Sequence, residues 1–127
     1  MSVEKLLPSK YGYSNVAITD GRLAFTAGQI AEDERGAFVG QNDFEAQVRQ
    51  VFLNLKTILS HLNASPDDVV KLNYYIVGLA PDRLTAVRVA RDAAFASPQK
   101  PASTLIGVAA LFKPDALIEV EMIVRQL

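Results

Sequence analysis

Apolar and polar positions follow a helical period in two segments of this chain. Residues 43 to about 62 form the clearer one, with apolar side chains at Phe44, Val48, Val51, Phe52, Leu55, Ile58, Leu59 and Leu62. Asn42 is expected to cap this helix, with Glu45 completing a capping box. A second helix is predicted from Pro81 to about residue 96, and its apolar stripe is thinner.

A period of two residues predicts strands elsewhere in the chain. The predicted strands cover residues 16–19, 22–27, 69–77, 104–111 and 116–124, and residues 37–39 are a candidate for a further short one. The Asp20-Gly21 pair between the first two strands predicts a hairpin. In residues 69–77, Val70, Leu72, Tyr74 and Ile76 are predicted to share one face of the sheet.

The resulting order, β-β-α-β-α-β-β, predicts one α+β domain over residues 1–127. A mixed sheet with both helices on one face is its natural packing. The uncovered face then combines Val, Tyr and Leu side chains with Lys71, Glu119 and Glu121. Because monomers seldom leave a contiguous apolar face in water, the pattern predicts a homo-oligomer.

Composition excludes several kinds of site. The chain has no cysteine and a single histidine, His61, so disulfides, thiolate metal sites, cysteine nucleophiles and multi-histidine metal sites are excluded. Thirteen basic and 14 acidic residues give a net charge of −1, which argues against a nucleic-acid surface driven by bulk charge. The sequence has no apolar run typical of a signal peptide or membrane span, so a cytoplasmic protein without a membrane partner is expected.

Two carboxylates on the last strand are candidates for chemistry. Glu119 and Glu121 lie two residues apart and therefore point to one face. A carboxylate pair on a sheet can act as general acid and base, and it can equally be a solvated or salt-bridged strand face. The spacing alone leaves both interpretations open.

Several short segments, in order and spacing, resemble the RidA/YjgF family, also called the L-PSP endoribonuclease family. They lie at residues 13–17, 25–30, 47–50, 54–56, 58–59, 67–71, 101–102 and 118–121. The resemblance implies a chorismate-mutase-like fold and a homotrimer with a cleft between each pair of neighbouring subunits. It also implies hydrolysis of small imines or enamines to ammonia and a 2-keto acid, with neither a metal nor an organic cofactor.

The resemblance also carries over individual site residues. Glu119 matches a glutamate that positions the attacking water, Tyr13 a tyrosine that lines the cleft, and Gly28 a glycine whose backbone approaches the ligand. Where active members have a carboxylate-binding arginine, this chain has Ser103, followed by Thr104. Serine offers one neutral hydroxyl in place of a bidentate cation, so an atypical substrate is expected. Arg88 is then a candidate for the missing cation, and Arg91, three residues further along the predicted helix, could share that role.

Three functions follow as hypotheses. The first is a deaminase that hydrolyses a small imine, enamine or related nitrogen metabolite. The second is a trimer that binds a small metabolite without turnover, as a sensor or accessory protein. The third, an endoribonuclease or translation inhibitor, has little support because the chain offers neither a basic stripe nor a histidine pair.

Overall fold

The computed structural model describes residues 3–126, in which two helices cover one face of a mixed sheet. The helices are α1 (Phe44–His61) and α2 (Pro81–Ala94). The strands are β1 (Glu4–Pro8), β2 (Ser14–Ile18), β3 (Arg22–Phe25), β4 (Val69–Val77), β5 (Ala102–Val108) and β6 (Ile118–Gln126). This architecture confirms the predicted α+β class. Within the described residues, no helix has the length and apolar character needed to cross a membrane.

The strand order is β1-β2-β5-β4-β6-β3, which makes the predicted hairpin wrong. β2 pairs with β1 and β5, whereas β3 pairs with β6 at the opposite edge. The Asp20-Gly21 pair turns the chain between two strands that do not pair with each other. β1 was not predicted, because residues 4–8 lack an alternating pattern and end in Pro8. The candidate strand at residues 37–39 is reduced to a single bridge between Phe38 and Glu32.

The short connection between β2 and β3 requires a curved sheet. Ile18 and Arg22 are four residues apart, a span of at most about 14 Å. Four interstrand steps separate their strands, and across a flat sheet these would measure about 19 Å. The sheet therefore rolls so that its two ends approach each other.

Helix α1 supplies most of the helical contribution to the core. Its predicted stripe is confirmed by buried Val48, Val51, Phe52, Leu55 and Leu59. The predicted cap is wrong by one residue: Asp43, not Asn42, accepts the amide hydrogen bond from Ala46. Asn42 instead adopts a positive φ of 58°, a conformation that asparagine tolerates better than most residues.

The sheet presents one buried face and one open face. Leu72, Tyr74 and Ile76 of β4 pack under the helices with Ile118 and Val120 of β6. Val70 was predicted to share this row, but the register shifts between Val69 and Lys71 and buries Val69 instead. Side chains of the open face include Lys71, Asn73, Tyr75, Glu119 and Glu121, together with exposed Leu23, Phe25 and Ile106.

A buried glutamine ties α1 to the segment that leads into β6. Gln47 is fully buried, and its Nε2 donates to the carbonyl oxygens of Gly40 at 2.9 Å and Asp115 at 3.0 Å. Its Oε1 accepts a hydrogen bond from the Leu117 amide at 2.9 Å. Every polar group of this side chain is satisfied, so the residue fixes where β6 begins.

We predict that Gln47→Met lowers the free energy of unfolding by about 3 kcal/mol, because it removes the hydrogen-bond partner of the part-buried Asp115 carbonyl and Leu117 amide. Urea denaturation measures the loss. Gln41→Met, at an exposed position, serves as the control and is expected to change stability by less than about 0.5 kcal/mol. A loss of similar size in both variants would contradict the role assigned to Gln47.

Candidate functional site

The segment after β3 runs beside β6 and brings Gly28 against Glu119. The Thr26 amide donates to the Met122 carbonyl oxygen, and Gln29 exchanges two backbone hydrogen bonds with Val120. This pairing leaves no room for a side chain at Gly28. A Cβ atom there would lie 2.6 Å from the Glu119 Cδ and 2.8 Å from its Cγ, and closer still to Oε2. Because Gly28 has no side chain, the Glu119 side chain can pack directly against the backbone there.

The Glu119 carboxylate is held in an unusual electrostatic setting. It is half-buried, and no hydrogen bond to it is formed by any residue from 3 to 126. Burial raises the pKa of Glu119, and the neighbouring Glu121 raises it further. Glu121 is differently engaged, since Tyr75 donates its hydroxyl to Glu121 Oε1 at 2.6 Å and Asn73 approaches the same oxygen at 3.5 Å. The two glutamates share a face, but only Glu119 has its carboxylate free for a ligand or water.

A second group of residues lines a cavity of about 520 Å³ between α2 and β5. Its cationic members are Arg88, which is exposed, and Arg91, which is half-buried. The remaining lining residues are Tyr11, Tyr13, Tyr74, Leu79, Leu84, Val87, Ser103, Thr104 and Leu105. Because the lining contains two guanidinium groups and no carboxylate, the cavity favours an anionic ligand with an apolar body.

Tyr13 reaches this cavity from the loop between β1 and β2. The Ser9 hydroxyl accepts hydrogen bonds from the amides of Tyr11 and Tyr13, and the Tyr13 carbonyl oxygen accepts one from the Ser9 amide. The rings of Tyr11 and Tyr13 stack with their centroids 6.3 Å apart. Gly12 has a φ of 87° and packs directly against the Arg91 guanidinium. A Cβ atom at this position would lie 2.6 Å from Arg91 Nη2, so the close approach requires glycine.

The six predicted site residues fall into these two groups. Tyr13, Arg88, Ser103 and Thr104 border the cavity, whereas Gly28 and Glu119 lie together at β6. Ser103 is in register with Leu72 and therefore faces the helices, while Glu119 is in register with Tyr75 on the open face. The Thr104 hydroxyl also lies on the open face, where it accepts a hydrogen bond from Lys71 Nζ at 2.8 Å. Apart from the Thr104 hydroxyl, which shares the open face with Glu119, one chain therefore holds the two groups on opposite faces of its sheet.

One cavity residue, Tyr74, was not singled out by the sequence. Tyr74 appeared as one apolar position of a strand, yet its buried hydroxyl has no hydrogen-bond partner among residues 3–126. Arg91, which was expected at most to share the role of Arg88, also lines the cavity. The detectable signal was a hydroxyl in an otherwise apolar row, between Leu72 and Ile76. Among residues 3–126, His, Asp and Glu side chains form no group of three or more that is arranged to hold a metal ion.

We predict that Gly28→Ala displaces the Glu119 carboxylate and lowers the free energy of unfolding by about 1–3 kcal/mol. A double-mutant cycle tests the cause. In a Glu119→Ala background the same glycine substitution is expected to cost less than half as much, because the colliding atoms are gone. An equal cost in both backgrounds would show that the glycine is needed for another reason.

Comparison with known proteins gives a consistent result over nearly the whole chain. The family model described as Endoribonuclease L-PSP matches residues 4–126. A RutC family protein of Pyrococcus horikoshii is 33% identical over 117 residues, covering 91% of this chain and 89% of the relative. A 2-iminobutanoate/2-iminopropanoate deaminase of Dermatophagoides farinae is 30% identical over 119 residues, covering 94% and 90%.

Solved structures agree with the sequence relatives. The crystal structure of a protein of unknown function from Yersinia pestis, described as belonging to the Rid protein family, superposes with a TM-score of 0.91 at 34% identity. The match covers 98% of this chain and 99% of that one. The chain therefore belongs to the RidA/YjgF family, which the matching family model describes as Endoribonuclease L-PSP.

Proposed function

We propose that this protein hydrolyses a small imine or enamine to a carbonyl compound and ammonia, in clefts between the subunits of a homotrimer. The Glu119 carboxylate is the observation that carries this proposal. It rests against the Gly28 backbone with no hydrogen-bond donor from residues 3–126, and it has a raised pKa. One relative, at 30% identity, is named a 2-iminobutanoate/2-iminopropanoate deaminase.

The proposed reaction needs one base and no cofactor. Glu119 accepts a proton from a water molecule as the water oxygen bonds to the carbon of a protonated imine, and the π electron pair of the carbon–nitrogen bond passes to nitrogen to give a neutral carbinolamine. Glu119 then returns its proton to that nitrogen. The carbon–nitrogen bond breaks with its electron pair leaving on ammonia, and the carbonyl forms as the hydroxyl proton passes to solvent. A raised pKa favours both steps, because the group is a stronger base in the first and still an effective acid in the second.

The cavity between α2 and β5 provides the proposed substrate-binding half of the site. Tyr13, Arg88, Ser103 and Thr104 border it. Ser103 offers only a neutral hydroxyl at the position where related active proteins hold a carboxylate by arginine. Arg88, on the adjacent helix, is placed to supply positive charge from the other wall of the same cavity.

The proposed assembly follows from the positions of the two groups. Glu119 and Ser103 lie on opposite faces of one sheet, so a single chain does not bring both to one substrate. The open face also exposes Phe25 over 70% of its surface, together with Leu23 and Ile106. Packing these faces between protomers would bury the apolar side chains and set Glu119 of one chain beside the cavity of the next.

We predict that Glu119→Gln lowers kcat/KM for imine hydrolysis at least about 100-fold, because it removes the proposed base. Small imines are generated from amino acids by an amino-acid oxidase, and ammonia release is compared with the spontaneous rate. Glu121→Gln is the matched control and should retain most activity, because Glu121 bonds to Tyr75. Saturable binding without any turnover would favour the metabolite-binding hypothesis, and RNA cleavage lost in Glu119→Ala would favour the nuclease.

The raised pKa of Glu119 also fixes the direction of two pH effects. Activity is expected to rise with pH as the carboxylate forms, above the range of an ordinary glutamate. Because the pKa of Glu119 is raised in the folded chain, folding favours the protonated carboxyl. The contribution of Glu119 to the free energy of unfolding is therefore present in acid and is lost as pH rises through the raised pKa. Glu119→Gln should therefore raise Tm at neutral pH, and this gain should shrink in acid; a lower Tm at neutral pH would contradict it.

We predict that the protein in solution has the mass of a trimer. Phe25→Lys is expected to shift this mass toward that of a single chain, 13.8 kDa. A charge at this exposed apolar position would oppose burial between subunits. Light scattering after gel filtration measures the mass. Leu53→Lys, on the outer side of α1, is the matched control and should leave assembly unchanged. A wild-type monomer, or dissociation by both variants, would overturn the proposed assembly.

A further inference from the structure

Tyr74, one of the residues that line the cavity between α2 and β5, carries a buried hydroxyl that no residue from 3 to 126 satisfies. Tyr74 lines this cavity, and its ring packs at 6.3 Å from Phe52 in the core. The residue is 3% exposed, and its hydroxyl forms no hydrogen bond within the described part of the chain. A buried hydroxyl without a partner is costly and uncommon, so its presence at a cavity indicates that a ligand atom completes it.

Arg91 lines the same cavity as Tyr74, and two contacts orient its side chain. Its Nε donates to Asp92 Oδ1 at 3.0 Å, and its guanidinium lies against the backbone of Gly12. Among residues 3–126, its two Nη atoms form no hydrogen bond. The Arg91 charge is near enough to lower the pKa of Tyr74, although burial dominates and raises it. Tyr74 therefore stays protonated and can donate.

The charge around Arg91 remains favourable to an anion. Asp92 is its single acidic partner among the described residues, and that carboxylate is exposed and also lies 3.9 Å from Lys100 Nζ. Arg88, also on α2, adds a second guanidinium to the lining. Both Nη atoms of Arg91 are free for the two-point contact with a planar carboxylate that arginine favours.

We propose that Arg91 and Tyr74 together bind the carboxylate of the substrate, so that the anion is held by α2 and β4. This proposal rests on the proposed function, because it takes the cavity as the substrate-binding half of the proposed active site, and it moves the carboxylate contact from position 103 on β5 to residues of α2 and β4. Leu79, Leu84, Val87 and Leu105 line the same cavity and would contact the apolar chain of the substrate. Arg88, at the exposed edge, then contributes a second and weaker attraction.

Carboxylate binding tests this directly, without any need for turnover. The probe is 2-oxobutanoate, a stable analogue of a 2-imino acid, and its uncharged amide is the comparison; isothermal titration calorimetry gives both dissociation constants. Tyr74→Phe is expected to weaken binding of the carboxylate about tenfold, and Arg91→Gln about 10- to 100-fold. The amide should bind more weakly than the carboxylate and should respond little to either substitution.

Control variants separate a binding role from a structural one. Arg49→Gln, which removes an exposed arginine from the outer side of α1, is expected to leave the dissociation constant unchanged. Tyr74→Phe keeps the ring and removes only the unsatisfied hydroxyl, so it should fold with equal or higher stability. Unchanged carboxylate affinity in both Tyr74→Phe and Arg91→Gln would overturn the proposal, as would equal affinity for acid and amide.

The calorimetric titrations and the ammonia-release assay together distinguish this proposal from the proposed reaction. If carboxylate binding depends on Arg91 and Tyr74 while no imine is hydrolysed, the binding assignment stands and the deaminase function fails. If Glu119-dependent hydrolysis occurs but substrate affinity is insensitive to both substitutions, the reaction stands and the assignment of Arg91 and Tyr74 is wrong.

Discussion

A six-stranded sheet with only two helices to cover it determines the character of the described structure. α1 and α2 bury the side chains of one face, including Leu72, Ile76 and Val120. The other face carries a mixture of apolar and polar side chains. It is more polar than a core and more apolar than an ordinary surface. Glu119 lies on that face, and this is why its carboxylate is half-buried with a raised pKa yet still accessible.

The rolled sheet gives the residues after β3 their place beside Glu119. The short turn at Asp20-Gly21 sends the chain to the far edge, where β3 and the segment that follows it pair along β6. Backbone pairing on both sides of Gly28 fixes that residue over Glu119, and the lack of a side chain makes the approach possible. The position of a candidate catalytic group is thus set by hydrogen bonds that are distant in sequence from it.

Local patterns predicted what depends on local physics. The α1 stripe, the span of β4 and the shared face of Glu119 and Glu121 all follow from periodicity, and the structure confirms them. Strand pairing depends on partners far apart in the chain, so the Asp-Gly signal at residues 20–21 could not reveal that β3 pairs with β6. Tyr13, Arg88 and Ser103 were named together through the family resemblance, but no local pattern could show that the cavity they border also includes Tyr74 with its unsatisfied hydroxyl.

Ser103 on β5 and the arginines on α2 share one cavity, so the size and charge of each side chain limit the others. Ser103 points from β5 toward the helices, into the same cavity that Arg88 and Arg91 enter from α2. A long side chain on the strand would compete with theirs for about 520 Å³ of space, and a third guanidinium would add repulsion. A short, neutral residue on the strand therefore suits a cavity whose positive charge comes from the helix. Without a cation on β5 the cavity can still attract an anion, because the arginines of α2 supply positive charge from the opposite wall.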